Sequence, residues 1–144
     1  MNRSLLLLAA VAPFMVGAAP PPQGVEIRLE KLRSLRGVVQ ICLTAKADTF
    51  PDCAKDKQAI TRTVPARNAA SMSFDGLAPG GYALAIFHDE NGNKKLDTFL
   101  GIPREGFGFS RNPAVVFGPP RFQQARFEVS GGIARLSLRM QYLL

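Results

Sequence analysis

Residues 80–93 read GGYALAIFHDENGN, an apolar run that passes directly into a polar loop. In an extended chain successive side chains point to opposite faces, and here both faces are apolar from Tyr82 to Phe87. We therefore predict a central strand over Tyr82–His88 that is buried on both sides. The turn LAPGG before it places Tyr82 at a strand start, where the hydroxyl of a corner tyrosine bonds nearby backbone.

Five further runs alternate apolar and polar side chains with a period of two, which is the pattern of half-buried strands. Their apolar members are Val25, Ile27 and Leu29; Val39, Ile41, Leu43 and Ala45; Met72 and Phe74; Ala125, Phe127 and Val129; and Ala134, Leu136, Leu138 and Met140. The last two runs flank Gly131-Gly132, and we predict that they form a closing hairpin. Between 47 and 68 the pattern is weak, and we expect a loop with one short helical turn or edge strand.

The strand runs define the fold class, because no segment after the N-terminal residues shows a helical period. We predict an all-β fold, an antiparallel two-sheet sandwich of about seven strands with an immunoglobulin-like or prealbumin-like Greek key. Residues 25–144 are expected to form a single domain.

The N-terminal residues have the parts of a secretory signal peptide: a basic start, an apolar run from Leu5 to Val16, and small residues before prolines. The apolar run is shorter than the roughly 20 residues of a spanning helix. We predict a signal peptide over 1–18 and a proline-rich leader over 19–24. The mature protein is then expected to be periplasmic or secreted, with no transmembrane anchor after cleavage.

The formal net charge is +7, carried partly by arginines that interleave with glutamates on the predicted strands. Interleaved charges are typical of a solvated ion-pair face rather than a nucleic-acid stripe, and we expect no nucleic-acid partner. Two explanations of the net charge stay open, solubility and attraction to anionic lipids or acidic glycans of the envelope.

Cys42 and Cys53 are the only two cysteines. An even number at close spacing in an exported protein predicts one structural disulfide. A metal pair or a redox couple has less support, because the chain has no C-x-x-C motif and no histidine beside either cysteine. Cys42 is expected to face outward from its strand, towards the loop that carries Cys53.

Residues 89–118 show no sustained periodicity. An irregular connection of that length in a compact domain is usually a functional or self-packed loop. We expect four phenylalanines to pack it against the domain: Phe99, Phe107, Phe109 and Phe117.

Four side chains of this loop have the spacing of oxygen ligands in calcium loops. Asp89, Asn91, Asn93 and Asp97 occupy relative positions 1, 3, 5 and 9, and the carbonyl of Lys95 falls at position 7. Calcium is therefore the one candidate cofactor. Against it, position 6 is Lys94 where glycine is usual, and position 12 is Leu100 where a glutamate is usual. The alternative is an Asn/Asp/Gly turn that bonds its own backbone.

The same loop offers the residue types of a hydrolase. His88, Asp89 and Ser110 could form a triad, but Ser110 follows Phe109 and is not in a G-x-S-x-G elbow. Glu105 with Asp97 or His88 could supply the acid and base for cleavage of an envelope polymer. This enzymatic interpretation is the alternative to a binding module, and we assign no catalytic residue.

The blocks HDENGN, at 88–93, and GIPREGFGFS, at 101–110, resemble an uncharacterised family of small exported bacterial proteins, the domain of unknown function 2141. The resemblance extends over essentially the whole mature chain. Lys94 stands where the family usually has glycine, and the span from Asp97 to Gly101 is one residue shorter than usual. The family brings no established activity. It implies a secreted or periplasmic β-sandwich.

Together these patterns favour a non-enzymatic module that uses the loop over 88–112 to bind an envelope component or small ligand. The candidate ligand-binding residues are His88, Asp89, Glu90, Asn91, Asn93, Asp97, Glu105 and Ser110. The oligomeric state stays open.

Overall fold

A computed structural model describes residues 17–144 of the protein. Most of the predicted signal peptide lies outside these residues. Residues 17–23, which include most of the predicted proline-rich leader, carry no regular secondary structure. Within 17–144, no helix combines the length and the apolar composition that crossing a membrane requires.

The protein is an all-β sandwich, as predicted. The described part of the chain has ten strands: β1 (Gly24–Glu30), β2 (Val38–Thr44), β3 (Ile60–Pro65), β4 (Ser71–Asp75), β5 (Gly80–Asp89), β6 (Thr98–Phe99), β7 (Ile102–Pro103), β8 (Gly106–Phe109), β9 (Phe127–Val129) and β10 (Ile133–Arg139). The helices among residues 17–144 are one short α-helix, α1 (Phe122–Ala125), and two 3₁₀ turns, Cys53–Lys55 and Ala66–Asn68. The ten strands exceed the expected seven by β6, β7 and β8.

One sheet has the order β10-β1-β4, and the other has the order β3-β2-β5-β8, with β9 also paired to β5. The pairings are antiparallel except for β1 with β10, which is parallel. β5 is central, as predicted. Residues 85–88 pair with β2 on one side and with β8 on the other, and residues 80–82 pair with β9. β6 and β7 form a separate two-stranded hairpin.

The predicted closing hairpin is wrong. β9 pairs with β5 in the larger sheet, whereas β10 pairs with β1 in the other sheet. The turn between them therefore carries the chain across the sandwich. A period of two and a glycine turn indicate two strands, but neither feature specifies which strand each one pairs with.

The main core lies between the two sheets and is formed by the inward faces of the predicted strands. It includes Val25, Ile27, Leu29, Val39, Ile41, Leu43, Met72, Phe74, Leu84, Ile86, Phe127, Val129, Leu138 and Met140. Tyr82 packs against this core, and its hydroxyl donates to the carbonyl of Ala78 over 2.9 Å. This is the predicted tyrosine corner.

A second apolar cluster covers the other face of β5. Phe107 and Phe109 of β8 pack there with Phe122 of α1, and Phe50 packs against them from the loop after β2. Cys42 lies beside this cluster and forms the predicted disulfide with Cys53, with a Cα–Cα distance of 5.6 Å.

The segment 89–118 is only partly packed as expected. Phe107 and Phe109 are buried, but Phe99 and Phe117 are exposed, so the expectation for that pair is wrong. β8 was not predicted as a strand because all four of its residues are buried, so its sequence does not alternate between apolar and polar side chains. Alternation marks strands with one solvated face.

Candidate functional site

The candidate site is the long connection between two neighbouring strands of the larger sheet, β5 and β8. β5 ends at Asp89, and Gly106 at the start of β8 lies opposite His88. Residues 90–105 therefore leave the sheet and return to the adjacent strand. We call this segment the β5–β8 loop. The connection between β1 and β2 lies beside it, because Val38 at the start of β2 lies opposite Asp89.

Asp89 fixes the first half of the loop. Its side chain is fully buried. One carboxylate oxygen accepts from the backbone N–H groups of Gly92 (2.7 Å) and Asn93 (3.1 Å). The other oxygen accepts from the backbone N–H of Lys94 (2.8 Å) and from the side-chain amide of Gln40 (3.1 Å). A buried carboxylate with this many donors is satisfied without a cation.

Glu105 fixes the second half of the loop. It is also buried. Its two oxygens accept from the backbone N–H groups of Glu90 (3.0 Å) and Asp97 (3.1 Å). The backbone of Arg104 adds a bond to the carbonyl of Asp97 (2.9 Å). The buried carboxylates of Asp89 and Glu105 thus hold the β5–β8 loop through hydrogen bonds from its own backbone N–H groups.

Three residues of the calcium spacing, Asn91, Asn93 and Asp97, lie together, whereas the Asp89 carboxylate is bonded to backbone N–H groups and to Gln40. The amides of Asn91 and Asn93 donate to the two oxygens of Asp97, over 2.6 and 2.9 Å. The Asn91 oxygen accepts from the backbone of Asn93, and the Asn93 oxygen accepts from the backbone of Lys95. Among residues 17–144, no group of three or more His, Cys, Asp or Glu side chains is placed to hold a metal ion. A cation at this cluster shares these oxygens with the N–H donors that they already accept.

Glu90 connects the loop to the β1–β2 connection. Its carboxylate pairs with the guanidinium of Arg33 (2.6 Å) and accepts from the hydroxyl of Ser34 (2.7 Å). The hydrogen bond from Arg33 lowers the pKa of Glu90 from its ordinary 4.5 to about 2. Arg33 also donates to the carbonyl of Arg104 and stacks over the ring of Tyr142 at 4.6 Å.

His88 is a buried structural residue in this arrangement. Its Nε2 lies 2.8 Å from the carbonyl of Arg36, and its Nδ1 lies 2.9 Å from the hydroxyl of Tyr142. A carbonyl oxygen only accepts, so Nε2 carries a proton and donates to Arg36, and Nδ1 shares a hydrogen bond with the Tyr142 hydroxyl. The Tyr142 ring packs on Gly106, where an added Cβ would lie 2.3 Å from a ring carbon. A side chain at position 106 would therefore displace the Tyr142 ring.

Ser110 does not meet His88. Its hydroxyl accepts from the backbone N–H of Leu84 (2.9 Å) and donates to the carbonyl of Ala125. Leu84 and His88 are four positions apart on β5, which corresponds to about 13 Å in a strand. The structure therefore brings together the other seven predicted site residues around the loop and leaves Ser110 apart, where it ties β5 to α1.

A polar cleft of about 540 Å³ opens between the loop and the β1–β2 connection. Charged residues dominate its lining: Arg33, Arg36, Glu90, Asp97, Arg104 and Glu105. Arg33 is paired with Glu90. Within the described part of the chain, the guanidinium groups of Arg36 and Arg104 form no ion pair.

Three arginines and three acids line the cleft, and each of the acids accepts hydrogen bonds from other groups of the protein. The carboxylates of Asp97 and Glu105 already accept N–H groups. Arg36 and Arg104 are exposed, and their guanidinium donors, which have no partner among residues 17–144, have the planar arrangement that matches carboxylate or phosphate oxygens. The sequence prediction missed Arg33, Arg36, Arg104 and Tyr142. The only local signal was the basic character of the β1–β2 connection.

The fold and the site define a class: an all-β sandwich in which two buried acids hold a long loop beside a polar cleft. The chain belongs to the family described as "Uncharacterized protein conserved in bacteria (DUF2141)", whose model matches residues 27–136. This confirms the resemblance noted from the sequence. Neither a curated protein nor a solved structure matches the chain.

Proposed function

We propose that this protein is an exported, non-enzymatic binding module whose β5–β8 loop and cleft hold the acidic group of a small ligand or envelope component. The acidic group is a carboxylate or a phosphate. The observation that carries the proposal is the contrast inside the cleft between Arg36 and Arg104, which have free donors, and carboxylates whose oxygens already accept N–H groups. Such a site favours ligands that bring acceptor oxygens.

Export to the periplasm or beyond is part of this proposal. The N-terminal pattern of residues 1–18 supports it, and so does the disulfide between Cys42 and Cys53, since disulfides persist in oxidising compartments.

A titration followed by ¹H–¹⁵N NMR tests the binding site, with inorganic phosphate and glucuronate as the probes. We expect amide shifts around the cleft with dissociation constants in the millimolar range, as for a few charge-assisted contacts in water. Arg36→Gln and Arg104→Gln should each weaken binding at least fivefold. The backbone carbonyl of Arg36 that holds His88 is unaffected by its substitution.

The control is Arg28→Gln, an exposed arginine on β1 away from the cleft. It should leave both dissociation constants unchanged. Shifts that persist in the Arg36→Gln/Arg104→Gln double variant, or no shifts at all, would contradict the proposal.

Calcium ordering of the loop is a second proposal, favoured by the clustering of Asn91, Asn93 and Asp97. A hydrolase acting through Glu105 with Asp97 or His88 is the alternative function. Its support is weaker, because both Glu105 oxygens accept backbone N–H groups. Turnover of chromogenic esters or glycosides that is lost in Glu105→Gln, with the fold retained, would favour the hydrolase.

A further inference from the structure

The hairpin formed by β6 and β7 carries apolar side chains that are not covered by any other part of residues 17–144. We call residues 98–103 the hairpin tip. In it, Phe99 is 56% exposed, Leu100 is 86% exposed and Ile102 is 43% exposed. Leu96, just before the tip, is exposed as well. Scattered exposed apolar residues are ordinary, but several on one projecting turn mark an interaction surface.

The backbone of the tip makes Leu100 unexpected. Phe99 lies opposite Ile102, so Leu100 and Gly101 are the two central residues of the turn. Their φ angles are +50° and +79°. Turns with two left-handed central residues strongly favour Asn-Gly or Asp-Gly, because a bulky side chain is strained at positive φ. Leucine at this position strains the turn and exposes apolar surface to water. Its presence indicates that the side chain contacts a partner.

The charges around the tip limit what it contacts. Lys94, Lys95 and Arg104 are exposed. The acids of the same region are turned inward: Asp89 and Glu105 are buried, and Glu90 and Asp97 are half-buried with their oxygens hydrogen-bonded. The outer surface of the loop is therefore apolar at its tip and cationic at its base.

We propose that the hairpin tip docks the protein on an anionic lipid bilayer. Phe99, Leu100 and Ile102 enter the headgroup and upper acyl region, and Lys94 and Lys95 remain at the level of the lipid phosphates. Lysines near such a surface strengthen the attachment to anionic lipid, and salt weakens it. This surface is distinct from the binding of an acidic group in the cleft, and the protein can have either property without the other.

Vesicle flotation tests the proposal with two compositions, phosphatidylcholine alone and phosphatidylcholine with 30% phosphatidylglycerol. Protein is produced from the full-length sequence, and all variants share its N-terminus. We expect at least tenfold stronger partitioning to the anionic vesicles, reduced by salt. Leu100→Asn and Phe99→Ser should each lower partitioning about tenfold.

The Leu100→Asn variant distinguishes a loss of membrane contact from a loss of folding stability. Asparagine tolerates the left-handed turn position, so the variant should keep or raise the thermal midpoint while it loses vesicle binding. Phe117→Ser is the matched control, since Phe117 is 96% exposed in the connection between β8 and α1. It should float like the wild type.

Three results would overturn the lipid assignment: no flotation of the wild type with either vesicle, equal flotation of Leu100→Asn and wild type, or an equal loss in Phe117→Ser. Self-association of the wild type that Leu100→Asn abolishes, without vesicle binding, would assign the tip to a second copy of this chain.

Discussion

The carboxylate of Asp89 accepts the backbone N–H of Lys94 over 2.8 Å, and Lys94 adopts a positive φ of 63° to reach it. The loop thus turns back on the residue at which it leaves β5. This turn of the loop is held by a buried acid, Asp89, and it requires a left-handed backbone at Lys94.

Lys94→Gly should stabilise the protein. The left-handed conformation costs a residue with a Cβ about 1–2 kcal/mol. Part of this gain is offset because glycine loses more backbone entropy on folding, by about 0.5–1 kcal/mol. We expect the free energy of unfolding in urea to rise by about 0.5 kcal/mol. Lys95→Gly, at a position without positive φ, is the control and should lower it. A loss of stability in Lys94→Gly would contradict the strain argument.

Asp89→Asn should destabilise the loop strongly. One oxygen becomes an amide NH₂ group, and two of the donors that now reach the carboxylate then face another donor. Leaving buried donors without an acceptor costs about 1–3 kcal/mol. Urea unfolding should show a loss in that range, and hydrogen exchange at the amides of Gly92 and Lys94 should accelerate. The control is Asp48→Asn, an exposed acid, which should have little effect. An Asp89→Asn variant as stable as the wild type would show that the loop is held by other contacts.

The strands were predictable because alternation is a local property. Val25, Ile27 and Leu29 are buried in the main core, as the period of two indicated. Partner choice is not local. The pattern around Phe127 and Leu138 gave two strands correctly but placed them in one hairpin instead of in two sheets.

The site was predictable as a place in the chain, but its chemistry was not. Asp89 and Glu105 were identified by residue type, yet their partners are backbone N–H groups whose direction depends on the folded loop. Tyr142 lies 54 residues from His88 in the chain, and no sequence spacing connects them. The sequence also did not reveal that Arg36 and Arg104 form no ion pair within residues 17–144, because ion pairing depends on side-chain geometry in the folded protein.

The Arg33–Glu90 pair makes stability fall in acid. The pKa of Glu90 is about 2 in the folded protein and 4.5 as its ordinary value. A lowered pKa contributes stability above pH 4.5, and this contribution is lost as the pH falls towards 2. Because Arg33 is 39% exposed, screening by water limits the contribution to about 1 kcal/mol.

Urea unfolding of Glu90→Gln at several pH values measures this effect. The variant should be about 1 kcal/mol less stable than the wild type at pH 7, and the difference should shrink between pH 4.5 and 2. The control is Glu26→Gln, which removes the exposed pair with Arg135 on the outer sheet face. It should show a smaller difference at pH 7. A Glu90→Gln difference that does not depend on pH would assign the effect to packing.

Calcium should stabilise the loop only at millimolar concentrations, since the ion competes with N–H donors for the oxygens of Asp97 and Asn93. With a dissociation constant of about 1 mM, 10 mM calcium adds about 1.4 kcal/mol. That corresponds to a rise of roughly 3–6 °C in the thermal midpoint for a domain of this size. Magnesium, which demands a tighter octahedral site, should produce less.

Asp97→Asn identifies the site, because it removes the one carboxylate that both loop amides contact. It should abolish the calcium-dependent rise, whereas Asp75→Asn, an exposed acid at the end of β4, should retain it. An unchanged midpoint of the wild type in calcium and in chelator would rule out calcium ordering. The hydrogen bonds of Asp89 and Glu105 alone would then account for the loop, and the cleft beside it would have to bind its ligand without a metal.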